Sequence, residues 1–224
     1  MTETATRQVG SRAAYAGLVF FVLYIIDVAV LTRVPGSDAA SGEALDFYSS
    51  ASERRWMQIA GVYLVPLAGI SLLWFTAAMR HRVANMAARE DELLSTVQLL
   101  SASIYIAMVF VASAVLTAPA IAVEIGAMTA VEAAQERSLL VVGDSILVVY
   151  ALRAAGVFIA AGTTRAVRSG LIPKWFAVVS YAIVLVLLLT VARFRLVTLL
   201  FPAWVAVMSV IVLVKRGGRT AAAA

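Results

Sequence analysis

Three ionisable side chains interrupt long apolar stretches of this sequence, and they are the residues best suited to chemistry. They are Asp27, Asp144 and Arg153. A charged side chain near the centre of a bilayer costs about 2.5–3.5 kcal/mol on insertion scales, so such groups face one another or a polar cavity. Carboxylates and a guanidinium in that setting can bind a polar ligand or relay protons. We therefore predict an intramembrane polar site built from these three residues.

The spacing of the three residues limits how they can pair. Asp144 and Arg153 lie nine residues apart on one segment, about 13 Å along a helix, which is too far for a direct ion pair. Arg153 is then expected to find its partner on another helix, where Asp27 is the best charged candidate. Five hydroxyl-bearing side chains are expected to contribute, namely Tyr63, Ser71, Ser103, Tyr105 and Tyr181. The alternative is that both acids are solvated near the interface while Arg153 snorkels or caps backbone carbonyls.

The residue inventory excludes several classes of active site. The sequence has no cysteine, which rules out disulfides, thiolate metal sites and cysteine nucleophiles. It has one histidine, His81, so haem held by two histidines and zinc sites that need several are also excluded. Gly143-Asp144-Ser145 resembles a serine-hydrolase turn, but no histidine lies in the apolar segments to act as its base. We therefore expect no catalytic set, no metal and no cofactor, and the chain is not expected to be an enzyme.

Six long apolar runs must position these residues. The hydrophobic fraction is 62%, above the roughly 45–50% of an average soluble domain, and a spanning helix needs about 20 apolar residues. Lipid leaves backbone groups without partners, so the runs are predicted to be helices. The expected fold is an all-α transmembrane bundle, a single domain over 1–224, with spans at about 13–32, 56–79, 93–118, 138–162, 173–192 and 196–214.

Two connections between spans carry signals for short helices on the outer side. Residues 41–53 mix aromatic, acidic and serine residues and are predicted to form one interfacial helix capped by Asp38 or Ser41. Residues 129–137 begin with Thr129 and Glu132 at the spacing of a capping box. In the third span, Pro119 is expected to end the helix.

The basic residues predict the orientation of the bundle. With a cytoplasmic N-terminus, the inner segments hold Arg7, Arg12, Arg80, Arg82, Arg89, Arg165, Arg168, Lys174, Lys215, Arg216 and Arg219. The outer segments then hold only Arg33, Arg54, Arg55, Arg137, Arg193 and Arg195. Because basic residues concentrate on the cytoplasmic side, both termini are predicted to be cytoplasmic. The distribution of the basic residues is therefore more informative than the net charge of +5, and no nucleic-acid partner is expected.

One stretch of the sequence resembles a known family. Residues 166–176 read Ala-Val-Arg-Ser-Gly-Leu-Ile-Pro-Lys-Trp-Phe, and they resemble the junction between spans four and five in uncharacterised bacterial membrane proteins of the DUF4386-like kind. The segment Ala44-Leu45-Asp46-Phe47 before Arg55-Trp56 is similar to their outer helix. The resemblance implies a six-span bundle in the bacterial cytoplasmic membrane, and it implies no activity and no catalytic residues.

Two main classes of function remain open from the sequence, and a membrane enzyme that works with carboxylates, tyrosines and arginines alone is a third. The first is a binding module without catalysis, either an accessory subunit or a protein that binds a lipid or small ligand. The second is a small transporter or channel, proton-coupled in one version, that uses Asp27, Asp144 and Arg153. The expected partners are the lipid bilayer and either another protein or a second copy of the chain. Faces of small residues, such as Ala13-Gly17 and Ala151-Ala155, allow that close helix contact.

Overall fold

The chain is an all-α membrane protein. The computed structural model describes the backbone of residues 2–36, 39–84, 86, 91–189 and 195–221, and the side chains of 15–36, 39–84, 86, 91–189 and 197–214. Within these residues there is no strand. Three described helices are long and apolar enough to cross a membrane, Ala51–Ala84, Glu92–Glu124 and Arg137–Arg168. Three shorter apolar segments accompany them, Tyr15–Leu31, Lys174–Leu189 and Leu200–Val214.

Eight helices organise the described residues, and we number them in chain order. They are α1 (Thr2–Leu31), α2 (Ser41–Ser49), α3 (Ala51–Ala84), α4 (Glu92–Glu124), α5 (Ala130–Gln135), α6 (Arg137–Arg168), α7 (Lys174–Leu189) and α8 (Leu200–Ala221). A single turn, Arg195–Thr198, precedes α8. Both α3 and α6 contain a π-helical turn, at Ala60–Leu64 and Ile146–Ala151. The first of these turns ends just before Pro66, which leaves the carbonyl four residues earlier without its usual partner.

The long helices form a ring with a buried aromatic centre. α1 packs against α3 and α8, α4 packs against α3 and α6, and α7 packs against α6. Phe158 and Phe201 are fully buried at the centre, with ring centroids 5.5 Å apart. Ala151 and Ala155, predicted as a close-contact face, are fully buried within the chain, so this face serves packing of the bundle itself.

The two ends of the bundle differ. Helices α2 and α5 pack on each other, and we call the end that they cover the cap end. The opposite end, where α6 turns into α7, is the base end. There Gly170 has a φ of 71°, and the N–H of Leu171 donates to the carbonyl of Ala166 at 2.8 Å. Glycine accepts this left-handed conformation without strain, so it ends α6 sharply.

The predicted single helix over 41–53 is wrong, because the chain breaks at Ser50. Ser50 is extended, with φ −75° and ψ 112°, and its hydroxyl accepts a bond from the N–H of Glu53 at 3.5 Å. A serine with a glutamate three residues later favours a new helix start, so α3 begins at Ala51. Ser41 is not a cap, since α2 begins after Ala40 without a side-chain cap bond. Asp38 lies outside the described residues.

The prediction that Pro119 ends the third span is also wrong. Helix α4 continues through Pro119 to Glu124, and Gly126, with a φ of 72°, follows it. Ala120 is fully buried beneath the cap. The free energy gained by packing this last turn therefore exceeds the cost of the single backbone hydrogen bond that a proline removes.

The capping box predicted for the second short helix is confirmed. The N–H of Thr129 donates to the Glu132 carboxylate at 2.7 Å, and the N–H of Glu132 donates to the Thr129 hydroxyl at 3.2 Å. The helix is shorter than predicted, since it ends at Gln135 and α6 begins at Arg137. These two bonds, one to the carboxylate and one to the hydroxyl, satisfy backbone donors that a helix start otherwise leaves unpaired.

We expect the order of α5 to depend on pH. The backbone N–H of Thr129, and then its hydroxyl, hold the pKa of Glu132 below its ordinary value. A lowered folded-state pKa stabilises the helix above the ordinary value of about 4.5, and this contribution is lost as pH falls through the folded-state pKa. Amide hydrogen-exchange protection over Ala130–Gln135 should therefore decrease as the pH falls from about 4.5 through the folded-state pKa of Glu132. The substitution Glu132→Gln should flatten this pH dependence of the protection. Unchanged pH dependence in Glu132→Gln would contradict this role of the carboxylate.

Candidate functional site

The cap closes the bundle through a small apolar layer of its own. Phe47 and Tyr48 of α2 and Ala133 of α5 are buried there against Met57 and Leu116, at the cap ends of α3 and α4. Tyr48 and Phe47 meet edge to face, with ring centroids 5.2 Å apart. Burial also raises the pKa of the Tyr48 hydroxyl, so this ring stays neutral at physiological pH.

Polar contacts at the rim join the cap to the long helices. The Arg54 guanidinium lies 3.3 Å from the Glu124 carboxylate, and its Nη1 donates to the carbonyl of Tyr48 at 2.6 Å. Arg137 Nη2 donates to the hydroxyl of Ser41 at 3.3 Å. These contacts tie α2 to the cap ends of α3, α4 and α6 and hold the cap over the space beneath it.

A cavity of about 50 Å³ lies beneath the cap. Its wall is almost wholly apolar and includes Val28, Val34, Met57 and Leu140. The one acidic side chain in the wall is Asp144, on the last turn of α6 before its π-helical turn. Within the described part of the chain, no hydrogen bond or ion pair reaches the Asp144 carboxylate. An acid in an apolar wall that no described basic side chain reaches favours a cationic occupant.

Asp27 forms a second polar centre, deeper in the bundle. It is only 6% exposed and lines a cavity of about 10 Å³ with Tyr24 and Tyr105, close to the space that one water needs. Neither a hydrogen bond nor a basic side chain contacts Asp27 among the residues that the structure describes. Both phenol groups lie close enough to Asp27 to interact with it electrostatically.

Thr198 connects the two centres. It lines the cavity that holds Asp144, and its side chain lies close enough to Tyr24 to interact with it electrostatically, as Tyr24 does with Tyr105. Thr198 is 4% exposed and precedes α8, which begins at Leu200. Polar groups thus run from the cap-end cavity to the buried Asp27.

Arg153 does not join either acid. Its Nη1 donates to the carbonyls of Val148 and Val149, at 3.2 and 2.5 Å. Both carbonyls lie in the π-helical turn of α6, where the normal pattern of backbone bonds is interrupted. No ion pair joins Arg153 to Asp27 or Asp144 in the described residues. The contacts seen for Arg153 are those of a side chain that caps carbonyls of its own helix.

Of the five predicted contributors, only Tyr105 lies beside Asp27. Tyr63 is 62% exposed on the outside of the bundle. Ser71 and Ser103 donate to carbonyls of their own helices, Leu67 at 2.8 Å and Leu99 at 3.1 Å. Tyr181 pairs with the hydroxyl of Thr164 at 2.7 Å, towards the base end.

The structure adds two features that the sequence reasoning missed. Tyr24 lies three residues before Asp27 and therefore on the same helical face, a signal that was present in the sequence. Arg165, expected in a basic inner loop, is instead 3% exposed and donates to the side-chain oxygen of buried Gln98 at 2.7 Å. Because α6 extends to Arg168, Arg165 lies within the helix rather than in a loop, and it reaches Gln98 of α4.

An aromatic layer separates the cap-end polar groups from the base end. Phe201 lies 4.5 Å from Tyr105 and 5.9 Å from Phe20, measured between ring centroids. Phe158 contacts Phe201 on one side and Trp204 on the other. Among the described residues, the polar groups that begin at Asp144 therefore end at Asp27 and Tyr105.

The two carboxylates lie beside hydroxyls and apolar groups, a setting that can bind a polar ligand. No group of three metal-binding side chains occurs among the described residues. Comparison with family models, with curated proteins and with solved structures finds no match to this chain.

Proposed function

We propose that this chain is a six-span protein of a bacterial cytoplasmic membrane, with both termini in the cytoplasm and the cap end facing outwards. Three long and three shorter apolar helices support six crossings. The excess of basic residues at the base end supports the orientation. The turn at Gly170, followed by Pro173 at the start of α7, gives a physical reason for the junction that resembles the DUF4386-like proteins, and we place the chain among them.

The proposed activity is binding of a small organic cation whose charged group enters the cavity beneath the cap. The apolar part of the ion extends out of the cavity, because a volume of about 50 Å³ is too small for the whole ion. The observation that carries this proposal is the Asp144 carboxylate in an apolar wall with no basic partner in the described residues. A half-buried carboxylate in an apolar wall is poorly solvated, whereas one that pairs with a cation gains a charge-assisted hydrogen bond. Apolar residues such as Val28 and Leu140 would contact the methylene groups next to the charge.

A thermal-shift series with alkylguanidinium ions tests this activity. Butylguanidinium is the probe because it stays charged at all accessible pH values, and butylurea is its neutral counterpart of the same shape. The protein in nanodiscs should show a Tm that rises and saturates with butylguanidinium and does not change with butylurea. Equal shifts with both compounds, or none with either, would show that the carboxylate does not select a cation.

A second function, proton-coupled transport of the same cation, is favoured by Asp27. Its carboxylate is buried behind Thr198 and Tyr24, where it can hold a proton that ligand binding releases. We expect a pH gradient to drive butylguanidinium uptake into proteoliposomes, and Asp27→Asn to abolish the gradient dependence while binding remains. Asp46→Asn, at an exposed acid of α2, is the matched control. Uptake that continues unchanged in Asp27→Asn would eliminate the relay and leave binding as the function.

A further inference from the structure

A long groove runs along the outside of the bundle between α3 and α4. Its volume is about 490 Å³. The floor consists of small residues, Gly61, Ala114 and Ala118, and the ridges include Val62 and Ile121. Thr117 also lines the groove, but its hydroxyl donates to the carbonyl of Ser113 at 2.8 Å. The groove therefore offers hydrocarbon along its whole length.

A tight helix contact creates the groove and limits its width. A Cβ atom at Gly61 would lie 2.4 Å from the Thr117 methyl group, so the side chain of Thr117 packs directly on the backbone of α3 behind the floor. Farther along, a Cβ at Gly69 would lie 2.7 Å from the ring of Phe110. An α-helix with its side chains is about 10–12 Å across, too wide to enter a furrow between helices this close. A single extended chain of methylene groups is slender enough.

The position of the groove identifies where that chain comes from. The lining runs from Phe110 to Ile125 on α4, which is about 22 Å of helix. One leaflet of the hydrocarbon core is about 15 Å thick, so the groove exceeds the depth of one leaflet at the cap end. α3 and α4 are both helices long and apolar enough to cross the membrane, so the groove opens to the acyl chains of that leaflet.

An arginine marks the end of the groove nearest the cap. Arg55 is exposed and lies seven residues before Val62, on the same stripe of α3. Its neighbour Arg54 is engaged by Glu124 and by the carbonyl of Tyr48. For Arg55, in contrast, the described residues supply no hydrogen bond or ion pair. An exposed guanidinium at the interface above a hydrocarbon groove complements a phosphate above an acyl chain.

We propose that the groove between α3 and α4 is a phospholipid site, with one acyl chain along Gly61 and Ala118 and the phosphate on Arg55. The site lies outside the bundle, whereas the cation cavity lies inside it, so the proposal goes beyond the ligand-binding function and does not depend on it. A bound lipid would cover the contact between α3 and α4 and stabilise the cap-end half of both helices.

Native mass spectrometry of protein extracted from phosphatidylglycerol vesicles tests the site. The unmodified protein should retain one phospholipid. Ala118→Trp should lose it because the indole fills the floor, and Arg55→Gln should weaken retention about fivefold, as expected for one basic residue at the interface. The matched controls are Ala182→Trp, on the exposed face of α7, and Arg33→Gln, an exposed arginine near the cap end. Both controls should retain the lipid.

Two further arms identify the ligand chemistry. Inorganic phosphate alone should not remain bound, and diacylglycerol, which lacks the phosphate, should be retained less than phosphatidylglycerol. If Ala118→Trp fails to fold, Val62→Trp adds its bulk from the exposed ridge and should give the same loss. Retention by the groove variants equal to that of the controls would overturn the proposal, as would a second copy of the chain in place of the lipid.

Discussion

Asp144→Asn is expected to weaken butylguanidinium binding at least about 30-fold. Removing one partner of a buried, hydrogen-bonded charge pair costs about 2–5 kcal/mol, and each 1.4 kcal/mol is a factor of ten in Kd. Asparagine has nearly the same shape, so the cavity that Val28 and Leu140 also line should stay intact. Isothermal titration on protein in nanodiscs gives the Kd, and circular dichroism checks that the fold is unchanged.

Asp46→Asn is the matched control for this substitution. Asp46 is an exposed acid of α2 that does not line the cavity. Its removal should leave the Kd within the error of the titration, whereas a general surface-charge effect would weaken both variants alike. Equal weakening in the two variants would therefore mean that the Asp144 carboxylate is not the binding group.

Gly17→Leu is expected to cause the largest loss of stability. A Cβ at Gly17 would lie 2.1 Å from the hydroxyl of Ser209 and 2.7 Å from the ring of Phe75, so α1, α3 and α8 meet here with no free space. Overpacking a buried contact costs about 1–3 kcal/mol, and more where backbones cannot move apart. Thr198, which lines the cavity, lies just before α8 in the chain. Separating α8 from α1 should therefore also displace Thr198 and weaken ligand binding.

A double substitution separates this clash from any general effect of changing glycine. Gly17→Ala alone should lower the Tm, and adding Ser209→Gly, which removes the nearest atom, should restore part of the loss, since the Phe75 ring remains 2.7 Å away. Gly42→Leu is the control for size, because nothing lies within 4 Å of a Cβ at that position. If Ser209→Gly gives no rescue, the close approach of α1 and α8 is not the cause of the instability.

The helical architecture was predictable because lipid leaves few alternatives. Six apolar runs without partners for their backbone groups have to become helices, and the described helices overlap the runs closely. The start of α5 was equally readable, since Thr129 and Glu132 satisfy one another locally. The break at Ser50 was missed even though Ser50 and Glu53 show the same local pattern.

The contents of the site were less predictable, because they depend on how helices meet. Asp27 and Tyr105 lie on different helices, and only the rotation of each helix in the ring brings them together. The π-helical turn beneath Arg153 has no sequence signature, yet it supplies the carbonyls that the guanidinium caps. The burial of Thr198 depends on where α8 begins. Apolar composition alone predicted that the last span begins at about residue 196, so Thr198 was expected within the span rather than before it.

Cysteine labelling from outside intact cells tests the central claim, a cation cavity that opens on the outer side of the membrane. The chain has no cysteine, so Leu140→Cys places a single thiol in the cavity wall. Gln135→Cys at the cap end and Lys174→Cys at the base end calibrate the two sides. We predict that a membrane-impermeant thiol reagent labels Leu140→Cys from outside, and that butylguanidinium but not butylurea slows the reaction. Labelling only after permeabilisation, or at a rate that butylguanidinium leaves unchanged, would contradict the claim.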